Sequence, residues 1–294
     1  KTFTLQYPSL LFPGESQTVA TPPPADLRIR RCVNTVNPLN WLSVGRTIRR
    51  ERPDFVLLKY WTPFMAPCFG TIARLARGNG HTKVLCQIDN VEPHERHLSD
   101  RPFNRYFLSS VDGFIYMSEQ VHRELRAYTA APALFSPHPL FENFGERVPR
   151  AEACGRLGLD PALRYVLFFG LVRDYKGLDL LLGAWALLKR RGRTEGRRLI
   201  VAGEFYTAKE PYLKQIAASG LREEVLLHDR FIPDAGVKDY FSAADFVVQP
   251  YKTATQSGVT QIAYQFCTPM VVTDVGGLAE IVPDGKVGYV CAPT

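Results

Sequence analysis

The sequence predicts an α/β protein of two doubly wound domains, each a parallel sheet with crossover helices. Three observations carry that expectation. Short apolar strands alternate with helix-patterned stretches along most of the 294 residues, which is the signature of parallel β linked by helices. The length exceeds one ordinary domain and suits two. Twice within 245–282 a buried-type strand ends in a small-residue loop that opens a helix. Such a loop offers unpaired backbone N–H groups at the positive end of a helix dipole, a ready anion site. In a doubly wound sheet both loops fall at the C-terminal ends of the strands, where ligands bind.

Residues 2–6 alternate as a short strand, and the proline-rich stretch 7–24 reads as an irregular loop. Trp41, Leu42, Val44 and Ile48 predict a helix over 41–52 that stops at Pro53. DFVLLK (54–59) is a continuous apolar run and reads as a fully buried strand. A helix over 64–77 closes at Gly78-Asn79-Gly80, and KVLCQI (83–88) is the next strand. The polar loop 89–98 leads to a helix over 101–110 and a strand over 113–117. Ser118 suits the N-cap of a helix over 119–128, and 133–136 is a last short strand. Pro137, Pro139, Gly145 and Pro149 mark 137–149 as a linker, which sets the expected domains at 1–140 and 141–294. In the second, strands over 165–169, 198–202, 225–227, 245–248, 270–273 and 288–291 alternate with helices over 178–191, 211–219 and 259–266. A short helix carries Glu280. The pattern starts without a strand–glycine loop–helix unit and stops without closing helices, so a fragment lacking both ends is expected.

Composition narrows the class. Hydrophobic residues at 46% and charged residues at 22% are globular values. No apolar run is long enough to span a bilayer, and no signal peptide is visible. The 6 cysteines form no C-x-x-C pair, which points to reduced thiols in the cytoplasm. A net charge of +7 fits a solvated basic surface, an anionic small molecule or a membrane face. No basic block or C₂H₂ pattern is present, so no nucleic-acid partner is expected. His94-Glu95-Arg96-His97 is not H-E-x-x-H, and no metal site is expected. No G-x-G-x-x-G follows a strand, which argues against a dehydrogenase.

The candidate residues lie in loops after strands. In 165–182, Gly170 ends a strand, Arg173 and Lys176 sit in a polar loop, and a helix starts after Gly177. A lysine there can reach a bound phosphate, and each charge-assisted bond is worth roughly 1.5–3 kcal/mol. The alternative is a pair of solvated loop cations, which the neighbouring Ser257-Gly258 and Gly276-Gly277 loops disfavour. Glu204 in VAGEFY (201–206) is either an acid at the ligand edge or a solvated carboxylate. In DNVEPHERH (89–97), Asp89, Asn90, His94 and Glu95 suit contacts with sugar hydroxyls or an acceptor, or form a plain surface loop.

Four stretches in order, FFGLVRDYKGLDLLL (168–182), LIVAGE (199–204), DFVVQPY (245–251) and TPMVVTDVGGLAEIV (268–282), resemble the C-terminal domain of retaining glycosyltransferases of family 4. The likeness is dense over 150–294 and sparser over 1–150, where DNVEPHE (89–95) and SEQVHREL (118–125) carry it. The resemblance implies the GT-B fold, two Rossmann-like domains facing across a cleft, with the first for the acceptor and the second for a nucleotide-diphospho-sugar. It places Lys176 on the donor diphosphate, the backbone of Ser257, Gly258 and Val259 toward the phosphates, and Glu280 near the donor. Gly170, Glu204, Thr255 and Gln256 complete the expected donor set. Arg173 and Lys176 would carry the catalytic charge, with Asp89 or His94 nearest for proton transfer and Asn90 and Glu95 for acceptor contacts.

Two departures stand out. The family's arginine after the first glycine is Leu171 here, with Arg173 two residues on. The family's two glutamates, seven residues apart, are absent from KTATQSGVTQIAYQF (252–266), which holds no acid. Thr255, Gln256 or Gln261 would supply neutral hydrogen bonds instead. The expected function is a retaining glycosyltransferase moving a sugar from a nucleotide-diphospho-sugar to a glycan or lipid-linked acceptor, with no metal or other cofactor. A cytoplasmic location is expected, with peripheral association at the inner membrane face left open. The alternatives are a non-catalytic sugar-nucleotide-binding subunit and another GT-B enzyme such as a sugar-nucleotide epimerase.

Overall fold

The computed structural model describes residues 1–8, 26–93 and 97–293. The irregular loop expected over 7–24, like His94 and Glu95, lies wholly or largely outside the described residues. The chain divides into two compact units, Lys1–Pro137 and His138–Thr294. Both are α/β with parallel sheets, the class that the strand–helix alternation predicts.

In the first unit, β1 (Thr2–Leu5) pairs in parallel with β2 (Arg31–Asn34). Helix α1 (Pro38–Glu51) starts three residues before the apolar spacing shows it. Asn37 Oδ1 accepts the Leu39 and Asn40 N–H groups, and Pro38 takes the first turn, where a missing N–H costs nothing. Four parallel strands follow in spatial order: β3 (Phe55–Tyr60), β4 (Lys83–Ile88), β5 (Gly113–Tyr116) and β6 (Ala133–Phe135). Their connections are α2 (Ala66–Arg77), α3 (Asp100–Leu108) and α4 (Glu119–Arg126). The Ser118 cap is present, accepting the Val121 N–H at 3.3 Å.

One core holds Val84, Cys86, Ile88, Phe114 and Tyr116 from this sheet against Val44, Phe69, Ile72, Phe107 and Leu125 from all four helices. This arrangement corrects the expected burial of β3. Phe55 is 64% and Leu57 61% exposed, because β3 is the edge of its sheet and the helices pack on its other face. An unbroken apolar run does not distinguish a two-sided strand from an edge strand with one bare face. The strands β1 and β3 are not paired, yet both line a cavity of about 480 Å³ with Val33, Ile48 and Phe69.

The second unit has six parallel strands in the order β12-β11-β10-β7-β8-β9. These are β7 (Arg164–Phe169), β8 (Arg197–Ala202), β9 (Val225–His228), β10 (Phe246–Gln249), β11 (Met270–Thr273) and β12 (Gly288–Cys291). The helices are α5 (Arg150–Leu157), α6 (Leu178–Arg190), α7 (Glu210–Ala218), α8 (Asp234–Ala243), α9 (Gly258–Gln265) and α10 (Leu278–Ile281). The α5 and α8 helices and the β2 strand escape the sequence pattern. Only Ala153 and Cys154 of α5 are buried, too few for a visible period, and α8 carries a glycine and four polar residues.

Alternate residues of β7 feed two cores. Tyr165, Leu167 and Phe169 pack with α5, α8 and α9, while Val166 and Phe168 pack with α6 and α7. That two-sided burial is why the strand is apolar at every position. From β7 the chain winds outward through β8 and β9, then returns to β10 beside β7 and winds the other way. The reversal lies between β7 and β10, and a crevice at such a point is where open α/β sheets bind ligands.

Candidate functional site

The C-terminal ends of β7, β8 and β10 carry three loops stitched together by backbone bonds. Gly170 N–H donates to Ala202 O at 2.9 Å, Val172 N–H to Glu204 O at 2.8 Å, and Tyr206 N–H to Val172 O at 2.9 Å. A Cβ on Gly203 (φ 147°) would meet Gly170 O at 2.2 Å, so these two loops touch through bare backbone. Lys252 N–H donates to Tyr175 O at 2.7 Å and ties the β10 loop to the β7 loop. Gly177 sits at this seam in the left-handed region (φ 68°), and a Cβ there would lie 1.9 Å from Pro250 O. The glycine after Lys176 is thus required twice, by its torsion and by the approach of the neighbouring chain.

Lys176 ends a 3-10 turn, Asp174–Lys176, and is half-buried. Its Nζ lies 3.2 Å from the point where a Cβ on Gly170 would stand, and Val259 Cγ2 lies 3.6 Å from the same point. Gly170, Lys176 and the first turn of α9 therefore meet at one place. Burial first, and then the Arg173 charge, push the Lys176 ammonium down to about 8. It stays mainly protonated at pH 7, a partly desolvated ammonium with no carboxylate among the causes acting on it. Arg173 lies over the Tyr206 ring, 5.1 Å from its centroid. Burial and the Glu204 carboxylate raise the Tyr206 hydroxyl and Arg173 lowers it, so Arg173, Glu204 and Tyr206 form one group. The adjacent Lys252–Asp179 ion pair, at 2.7 Å, anchors the start of α6.

The β10 loop ends at Ser257, the N-cap of α9, whose Oγ accepts the Val259 N–H at 3.2 Å. Thr255 is buried, and Gln256 Oε1 is buried without a hydrogen-bond partner. A buried carbonyl left unpaired costs free energy unless something donates to it. Beneath the loop, Thr260 Oγ1 donates to Gln249 Oε1 at 3.0 Å and Thr273 Oγ1 to Tyr251 O at 2.6 Å. Gln261 is 6% exposed within α9. Gly258 is hemmed in by the Phe141 ring, 3.3 Å from where its Cβ would be.

The second small-residue loop opens a short helix, as expected. Gly276-Gly277 opens only the four-residue α10, and Glu280 lies exposed on it. One turn sums too few peptide dipoles to match α9 as an anion site. In the first unit, Asp89 follows β4, donates its N–H to Tyr60 O at 2.8 Å and pairs with Lys59 at 3.4 Å. Asn90 is half-buried beside it. Sequence reasoning missed Tyr206 and Tyr251; the Q-P-Y ending of β10 was the signal for the latter. Among the described residues no group of three or more His, Cys, Asp or Glu could hold a metal ion, and no helix is long and apolar enough to cross a membrane.

Residues 164–294 match the family model for glycosyl transferases group 1. A D-inositol 3-phosphate glycosyltransferase of Pseudarthrobacter chlorophenolicus is 33% identical over 132 residues, covering 45% of this chain and 31% of that protein. Its namesake from Streptomyces bingchenggensis is 29% identical over 216 residues, covering 70% and 46%. The chain thus spans between about a third and a half of the length of these relatives. Among solved structures, Anabaena HepE in complex with UDP aligns with a TM-score of 0.70 at 17% identity, over 87% of this chain and 68% of that one. At that identity the likeness is one of fold, the GT-B class of glycosyltransferases.

Proposed function

We propose, for a chain whose residues 164–294 belong to the glycosyl transferases group 1 family, that it transfers a sugar from a nucleotide-diphospho-sugar to a glycan or lipid-linked acceptor with retention at the anomeric carbon. The observation that carries this is the partly desolvated ammonium of Lys176, set beside Gly170 and the first turn of α9. A lysine without a buried carboxylate partner calls for an anion, and a helix N-terminus at the same point calls for the same anion. The diphosphate of the donor meets both. That HepE holds UDP on a similar fold supports the choice.

In the transfer, the bond from the anomeric carbon to the diphosphate oxygen breaks and one to the acceptor oxygen forms. The acceptor proton passes to the departing phosphate oxygen. Charge gathers on the leaving diphosphate, and fixed donors already aimed there lower the barrier most effectively. Lys176, Arg173 and the α9 N-terminus meet that charge, so the chemistry calls on no metal or other cofactor. Gly170, Ser257, Gly258 and Val259 present backbone to the phosphates. Glu204, Thr255, Gln256 and Glu280 line the donor side. Residues 141–294 form the donor-binding domain and 1–140 the acceptor-binding domain. There, Asp89 and Asn90, with His94 and Glu95, are assigned to acceptor contacts, Asp89 or His94 being nearest for any side-chain proton transfer. The net charge of +7 supports an acceptor at an anionic, cytoplasmic membrane face.

Calorimetric titration with UDP, GDP and ADP tests the donor site. One nucleotide should bind selectively, and Lys176→Ala should weaken it at least about tenfold. Equal affinity of the variant would remove Lys176 from the diphosphate. The acid-free stretch 252–266 favours a second function, a non-catalytic sugar-nucleotide-binding subunit. Transfer of labelled sugar by the purified full-length protein would eliminate it, and product formed with donor alone would indicate an epimerase.

A further inference from the structure

One buried side chain with no part in the proposed chemistry touches the β7 loop, the cap of α9 and the end of β11. Tyr251 follows β10 and is 3% exposed. Lys176 Nζ lies over its ring, 5.7 Å from the centroid. Tyr175, from the same turn as Lys176, meets that ring edge-on at 6.0 Å. The phenol is paired with Ser257 Oγ at 3.2 Å, and Ser257 Oγ in turn accepts the Val259 N–H that caps α9. The Tyr251 carbonyl accepts from Thr273 Oγ1 at the end of β11.

Each contact has a consequence. A partly desolvated ammonium recovers from an aromatic face some of what it lost in hydration, and the gain grows with desolvation. A serine hydroxyl is free to rotate unless a partner holds it, and Ser257 Oγ must point one lone pair at the Val259 N–H to cap the helix. Burial pushes the Tyr251 hydroxyl up, so the phenol remains a neutral hydrogen-bonding group across the working pH range. We infer that Tyr251 is a positioning residue, holding Lys176 over its ring and Ser257 by its hydroxyl so that the cation and the N-terminus of α9 converge on one anion. This rests on the donor-site proposal above. Tyr251 itself touches no reacting atom.

The two contacts can be separated by substitution. Tyr251→Phe keeps the ring and drops the hydroxyl, and Tyr251→Leu drops both. With UDP as the calorimetric probe, Tyr251→Phe should weaken binding about three- to tenfold, and should add nothing on a Ser257→Ala background. Tyr251→Leu should weaken binding further than Tyr251→Phe, and that extra loss should vanish on a Lys176→Met background. A cycle in which the effects multiply independently would overturn the positioning role, whatever the melting temperatures do. A readout without ligand separates failure here from failure of the donor site. In the chain labelled with [ε-13C]lysine, the Lys176 titration midpoint should drop by about half a pH unit in Tyr251→Leu, from a lost cation–π contact, and hold in Ser257→Ala. An unmoved midpoint in Tyr251→Leu would overturn the role of the ring. A moved midpoint in a chain that binds no nucleoside diphosphate would support the ring contact and refute the donor site.

Discussion

Replacing Lys176 with methionine should make the second unit more stable and a poorer ligand-binding protein at once. The ammonium is pushed from an ordinary 10.5 down to about 8, chiefly by burial. At about 1.36 kcal/mol per pH unit, that corresponds to a cost on the order of 3 kcal/mol for keeping the charge in the folded state. The sign follows from proton linkage. Below pH 8 both folded and unfolded chains hold the proton and the full cost is present. Between 8 and 10.5 the unfolded chain holds more protons, so stability rises with pH as the cost is relieved. Methionine has similar length and no charge, so Lys176→Met should gain up to about 3 kcal/mol at pH 7, or several degrees in Tm. The same change deletes a charge-assisted bond to a phosphate worth roughly 1.5–3 kcal/mol, a loss of about ten- to a hundredfold in affinity. Thermal unfolding beside calorimetric titration with UDP reads both. A variant that melts lower and binds equally well would refute the reasoning, since it would make Lys176 a structural residue with no anion to hold.

Three more outcomes are expected. Nucleotide affinity of the unaltered chain should fall as pH rises past about 8, where Lys176 loses its proton; a flat profile from pH 6.5 to 9.5, measured calorimetrically, would show that its charge does not contribute. Gly177→Ala should destabilise the second unit by about 2–4 kcal/mol in urea unfolding, because a Cβ there would sit 1.9 Å from Pro250 O at a φ of 68°; a smaller loss would mean that the seam between the loops relaxes easily. In the first unit, Phe55→Ser should change stability by less than about 1 kcal/mol and Ile88→Ala should cost about 2–5, since the first is 64% exposed and the second fully buried; equal costs would show that the bare face of β3 is covered in solution.

Most elements of the fold were legible because each obeys a local rule. The β4 and β12 strands occupy 83–88 and 288–291 as their apolar runs indicate, and Ser118 caps its helix as its position suggests. Elements whose stability comes from contact and not from pattern were illegible. The α5 helix presents two small buried residues to α8, and β2 is a four-residue strand among polar neighbours. The one misread burial, β3, failed because hydrophobicity measures what a strand tolerates, while its neighbours decide which faces are covered.

By itself the sequence determined the class, the alternation of strand and helix, and the small-residue loops at which an anion can bind, since these depend on torsional preference and side-chain period along the chain. It also marked Lys176, Arg173, Ser257 and Gly258 as residues of the right chemistry. Only the tertiary structure decided which of these meet. The reversal of winding between β7 and β10 lays Gly177 against Pro250 and brings Lys176 within reach of Gly170 and the first turn of α9. It also slides the ring of Tyr251 beneath the ammonium. Local rules stop at a few residues, whereas Lys176 and Ser257 stand eighty-one positions apart. Their proximity arises from strand order, which is set by how the sheet buries both of its faces and not by either residue alone.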